Sequence, residues 1–121
     1  MMKNKTLVIG ASENPQRYSF MAINRLLESQ HEVRAIANRF GVVKNVIFEK
    51  EHIVFDDIDT VTLYVNSTIQ PLYENYILQL KPRRVIFNPG TENVEFENKL
   101  EANGIEAIEA CTLVMLSTGQ Y

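Results

Sequence analysis

The stretch Thr6-Leu7-Val8-Ile9-Gly10-Ala11-Ser12-Glu13-Asn14-Pro15-Gln16-Arg17-Tyr18-Ser19-Phe20 constrains the fold more than any other part of the chain. Leu7 to Ile9 is a short apolar run of the kind found in a parallel strand buried on both faces. Gly10-Ala11-Ser12 ends it with small side chains, past which a backbone can approach a ligand. Pro15 and an amphipathic run follow, so a helix is expected from about residue 16. Strand, small-residue turn and helix N-terminus together form a geometry that holds phosphate, because free N–H groups and the positive end of the helix dipole converge there.

The turn departs from the known nucleotide fingerprints. A G-x-G-x-x-G motif would need glycine where Ser12 and Pro15 stand, and no G-K-[ST] follows to make a P-loop. An ordinary strand-to-helix turn is a competing reading. Asn14, Arg17 and Ser19 argue for the ligand, since they gather a cation and polar side chains at one helix start.

The rest of the chain repeats the pattern. Residues 16–29 carry Phe20, Ile23 and Leu27 at helical spacing, with Tyr18, Met21, Ala22 and Leu26 widening the apolar face. Glu32 to Ala37 reads as a second strand, which makes residues 6–37 a right-handed βαβ unit of about 30 residues. Asn38-Arg39-Phe40-Gly41 closes that strand. An NAD site usually has Asp or Glu here, whereas Arg39 suits a phosphate and Asn38 also suits a plain turn. Residues 42–58 sustain no period and read as short extended pieces, an irregular connection or a small flap. Thr60 to Val65 is a third strand, and Asn66, Ser67 and Thr68 are N-cap candidates for a helix with Pro71 in its first turn. Arg84 to Phe87 is a fourth strand ending in Asn88-Pro89-Gly90-Thr91, with Thr91 or Asn93 as the next cap and Gly104 closing that helix. Ile105 to Ala110 is a fifth strand. Cys111 and the apolar Leu113–Leu116 segment follow, and both are expected to pack at the strand end.

These elements predict an α/β, Rossmann-like, doubly wound parallel sheet of about five strands in the order 3-2-1-4-5, formed by one domain over residues 1–121. Ligands of such sheets bind at the carboxyl edge, where the loops 10–19, 38–41, 66–68 and 88–93 gather. A net charge of −3 argues against a nucleic-acid partner, and no apolar run is long enough to cross a membrane. The opening Met1-Met2-Lys3-Asn4-Lys5 leads towards the first strand without a signal-peptide pattern. A single cysteine fits a reducing cytoplasm. His31, His52 and Cys111 have no metal-ligand spacing, and no nucleophile–base pair or carboxylate pair falls in the expected cleft. Asp56, Asp57 and Asp59 lie at the opposite edge and read as a solvated acidic turn.

Gly10-Ala11-Ser12-x-Asn14-Pro15-x-Arg17-x-Ser19, the later Asn88-Pro89-Gly90-x-x-Asn93 and Cys111 resemble, in order, the small stand-alone CoA-binding proteins. These are similar to the N-terminal CoA-binding domain of succinyl-CoA ligase α subunits and ADP-forming acyl-CoA ligases. The resemblance spans nearly the whole chain. It implies a CoA or acyl-CoA ligand, with phosphates over Gly10–Ser12 and the first helix and Arg17 nearby. Contacts from Asn38, Arg39, Ser67, Pro89, Gly90 and Asn93 at the other strand ends would complete the site. It implies no catalytic residue, because the phosphorylated histidine of the ligases belongs to another domain, and it leaves room for a homodimer or a separate catalytic partner. The chain departs from the family where Asn-Pro and a basic residue become Asn38-Arg39-Phe40, and where Asp-Arg-Cys becomes Glu109-Ala110-Cys111. The alternatives are an NAD(P)-binding oxidoreductase-type domain and a non-catalytic interaction or regulatory protein with a vestigial cleft. Bulk at Ala11 is expected to block the ligand without harming the fold, since Ala11 is placed outside the core.

Overall fold

The computed structural model describes residues 4–121. The lead-in over residues 1–3 lies outside the described residues. The elements are β1 (Thr6–Ile9), α1 (Tyr18–Glu28), β2 (Val33–Ile36), β3 (Val42–Val43), β4 (Val46–Glu49), β5 (Thr60–Leu63), a 3-10 turn (Gln70–Leu72), α2 (Glu74–Leu80), β6 (Arg84–Phe87), α3 (Val94–Ala102), β7 (Glu106–Glu109) and α4 (Thr112–Ser117). One sheet runs β3-β4-β2-β1-β5-β6-β7. All neighbours are parallel except the β3–β4 hairpin.

The class is the expected one, but the strand count and order are corrected. Among the described residues there are seven strands rather than five. The strand at 60–63 pairs with β1, not with the outer side of β2. That outer place is taken by β4, which lies inside the stretch 42–58. The chain therefore winds outward through β2 and β4, then returns to the other side of β1. The switch point falls between β1 and β5.

Side-chain alternation along the strands feeds two cores. Leu7 and Ile9 face α2 and α3 with Val61, Leu63, Ile77, Phe87, Phe96 and Leu100. Val8 faces α1 with Ile23, Leu26, Ala35 and Phe48, and Leu116 of α4 and Tyr121 pack on that side. Helix α1 starts at Tyr18 and buries Ser19, Ala22, Ile23 and Leu26. That is one step round from the stripe expected through Phe20 and Leu27, which are only half-buried. The Leu113–Leu116 segment belongs to a helix on the sheet face rather than to a strand end. Among the described residues no helix is long and apolar enough to cross a membrane.

Candidate functional site

The turn after β1 is shaped by its own side chains. Gly10 adopts φ +94°, and a Cβ there would come within 3.0 Å of the Tyr64 backbone, so only glycine fits. Ser12 Oγ accepts from Asn14 N at 3.0 Å, and Asn14 Oδ1 accepts from Gln16 N at 3.0 Å. Arg17 N donates to the Asn14 carbonyl at 3.0 Å, and Arg17 becomes the N-cap of α1 with no side-chain cap bond. No acid stands in the first turn of α1. The helix start therefore keeps its positive end uncompensated.

This turn forms one wall of a cleft of about 590 Å³ at the carboxyl edge, within the usual range for small-molecule sites. Ten of the thirteen residues expected at a ligand line it, namely Gly10, Ala11, Ser12, Asn14, Arg17, Ser19, Asn38, Arg39, Pro89 and Gly90. Pro15, Ser67 and Asn93 do not. The lining adds Glu13, Tyr18, Phe40, Asn66 and Thr91, which belong to the loops expected at this edge without being singled out as contacts, and Phe48 and Tyr64, which lie outside those loops. Asn66 and Thr91 carried a signal as cap and turn residues. Tyr64 and Phe48 reach the cleft only because β5 and β4 end beneath it.

Two findings revise the expected roles. Gly10 N and Ala11 N both donate to the Ile36 carbonyl, at 2.9 and 3.2 Å. These two amides stitch β1 to β2, so backbone donors for an anion must come from further along the turn and from α1. Ala11 is only 9% exposed and packs in the core with Val8 and Ile23. It is a core residue, contrary to expectation, because the turn folds back under α1. Bulk at Ala11 would disturb folding as well as the cleft.

Behind the lining sits a buried polar scaffold. Asn88 Nδ2 donates to Thr62 Oγ1 at 2.7 Å and to the Leu63 carbonyl at 2.9 Å, while its Oδ1 accepts from Thr112 N at 2.9 Å. One side chain thus ties β5, β6 and the start of α4. Gln70 Nε2 donates to the Val65 and Thr91 carbonyls, and its Oε1 accepts from Asn93 Nδ2 at 2.8 Å. Asn93 is the α3 cap, with Oδ1 accepting from Phe96 N. It holds the Pro89–Thr91 turn from behind. Asn66 Oδ1 caps Thr68 N and Ile69 N. The loops around the cleft are thereby fixed by side chains that the fold has already engaged.

The charges in the cleft are Arg17, Arg39 and Glu13. Among the described residues, neither arginine takes part in an ion pair. Burial pushes the Tyr64 hydroxyl up to about 12, against hydrogen bonding to Thr62 and Thr112. It remains a neutral donor and acceptor across the physiological range. Cys111, expected to be buried, is partly exposed at the N-cap of α4. His31 lies edge-on to Tyr121 and His52 stacks on Tyr73 and Tyr76; both stand away from the cleft lining. Among the described residues no group of three or more His, Cys, Asp or Glu is placed to hold a metal.

The chain is a Rossmann-like α/β domain with a cleft at its switch point, the place where sheets of this class bind ligands. The pattern of the CoA binding domain matches residues 4–117, nearly the whole chain, and the chain belongs to that family. A crystal structure of an uncharacterized protein is 47% identical, covers 98% of both chains and superposes with a TM-score of 0.96. A hypothetical protein from Pyrococcus horikoshii OT3 is 21% identical with a TM-score of 0.87, covering 95% of this chain and 82% of its own. A conserved hypothetical protein from Pyrococcus furiosus is 22% identical with a TM-score of 0.81, covering 93% and 98%. The last two support the fold alone. A search of curated proteins finds no match.

Proposed function

We propose that this chain is a single-domain module that binds CoA or an acyl-CoA in the carboxyl-edge cleft and performs no catalysis of its own. The phosphates would lie over the Gly10–Ser12 turn and the start of α1. Ser12 and Glu13 amides and the first turn of α1 are the backbone donors within reach of that position, since Gly10 and Ala11 amides are engaged. The observation that carries the reading is the pair of arginines, Arg17 and Arg39, lining this cleft without a carboxylate partner. Two unpaired guanidiniums beside a helix N-terminus match a ligand with several phosphates. Asn38 stands where an acid would hold the ribose of NAD, which favours CoA over a nicotinamide cofactor. The single cysteine accords with a cytoplasmic setting, and the acyl chemistry would belong to a separate partner or to a second copy.

Thermal denaturation with CoA, acetyl-CoA, NAD and NADP tests this. CoA or acetyl-CoA at one hundred times its Kd should stabilise the native state by about 2.7 kcal/mol, and NAD and NADP should leave the midpoint unchanged. A shift with NADP alone would point to an oxidoreductase-type domain. The absence of any shift would leave the cleft as a vestige on an interaction protein.

A further inference from the structure

The rim of the cleft carries a large apolar side chain that the core does not use. Phe40 lines the cleft and is 74% exposed. Its loop is nonetheless held at two points. Phe48 N donates to the Gly41 carbonyl at 2.9 Å, and Val42 N donates to Glu13 Oε2 at 2.9 Å. Gly41 packs so closely that a Cβ would come within 2.9 Å of both Glu13 and Phe48. Glu13 thus ties the loop after β2 to the turn after β1 across the mouth of the cleft. The Lys50 ammonium lies 5.0 Å from the centroid of the Phe40 ring, a cation–π contact that steadies it. The result is an anchored aromatic ring with Lys50 over one face and most of its surface still exposed, next in sequence to the unpaired Arg39.

We propose that Phe40 is the platform on which the purine base of the ligand stacks, with Glu13 and Lys50 as the residues that position it. Aromatic rings bind bases through their faces, and the contact needs no hydrogen-bond pattern on the protein. Arg39 would then meet phosphate beside the base, while Arg17 serves the far side of the cleft. This deepens the CoA reading and rests on it. The platform selects ligands that carry the nucleotide over the bare 4′-phosphopantetheine arm.

Calorimetric titration of wild type and Phe40→Ala with CoA and with adenosine 3′,5′-bisphosphate tests the platform. The substitution should weaken both by about tenfold. Folding should be unaffected, because Phe40 is exposed. Phe40→Trp supplies a second readout, as the chain has no tryptophan of its own. Its fluorescence should be quenched by CoA and by adenosine 3′,5′-bisphosphate, but not by 4′-phosphopantetheine. Wild type that binds CoA while Phe40→Ala binds it equally well overturns the platform alone. So does an indole that CoA leaves unquenched, or a Phe40→Ala protein whose self-association changes while its CoA affinity does not. Wild type that binds neither CoA nor the bisphosphate overturns the CoA reading itself.

Discussion

The two edges of the sheet use their charges in opposite ways. At the amino edge the side chains close on one another. Lys5 and Arg34 both pair with Glu32, and Arg83 grips Asp59 through two bonds of 2.9 and 3.1 Å. Arg84, 5% exposed, donates to Thr60 Oγ1 and to the Tyr121 backbone carbonyl, and its guanidinium lies 4.6 Å from the Tyr121 ring centroid. The Tyr121 hydroxyl bonds to Thr6. At the carboxyl edge Arg17 and Arg39 stand in a concavity without such partners, and the polar side chains behind them only shape the loops. The same strands thus present a sealed end and an open end. The proposed ligand site thus coincides with the charges the fold has left unused.

The largest expected effect comes from breaking the scaffold of the open end. Asn88→Ala would leave the Thr112 amide and the Leu63 carbonyl buried without that partner. It should destabilise the protein by about 3 kcal/mol in urea denaturation, from one to three per stranded group. A change near zero would mean that the Asn88 network contributes little and that the loops hold themselves.

Exchanging one arginine at each edge sharpens the contrast. Arg17→Ala should weaken CoA binding by about 1.5–3 kcal/mol, the range for hydrogen bonds to a charged group, with little change in stability. Arg83→Ala should do the reverse, leaving affinity intact and costing less than about 1 kcal/mol of stability, because that pair is solvent-screened. Calorimetry and urea denaturation on both variants read the two quantities separately.

The smallest effect is electrostatic and confined to the sealed end. Burial favours the neutral Asp59 carboxyl, but the hydrogen bonds from Arg83 and Thr60 and the charges of Arg83 and Arg84 outweigh it and hold the group below its usual value. A depressed carboxylate stabilises the fold fully above the unfolded value, near 3.8, and loses that contribution as pH falls through the folded one. Asp59→Asn should therefore flatten the acid limb of stability against pH while leaving CoA affinity at neutral pH unchanged. An unaltered acid limb would remove Asp59 from the account. The acidic turn expected from the sequence is thus solvated only in part.

Much of this was legible in the residues. Leu7-Val8-Ile9 and Val85-Ile86-Phe87 are continuous apolar runs because their strands are covered on both faces, and such runs identify central parallel strands directly. Gly10 and Pro15 marked the turn and the approach to α1. What stayed hidden depended on distant neighbours. Strand β4 has Val46 and Phe48 buried but Ile47 67% exposed, and its parallel partners are only Ala35 and Ile36. Four residues with an apolar side chain on the wrong face give no readable period. Missing β4 put the 60–63 strand in β4's place and so misplaced the switch point. Ala11 looked like a loop residue because its burial comes from the way the turn folds under α1, which no local pattern encodes. Asn88, legible as part of a turn and of the Asn88-Pro89-Gly90-x-x-Asn93 motif, anchors three elements through bonds to distant residues that neither pattern encodes.

Backbone amide shifts of the labelled protein during a CoA titration test the contrast between the edges most directly. The account predicts saturable shifts at Ser12, Glu13, Tyr18, Ser19 and Arg39, with Asp59, Thr60 and Arg84 unmoved. Shifts confined to the amino edge, or no shifts at CoA concentrations that raise the melting temperature, would contradict it.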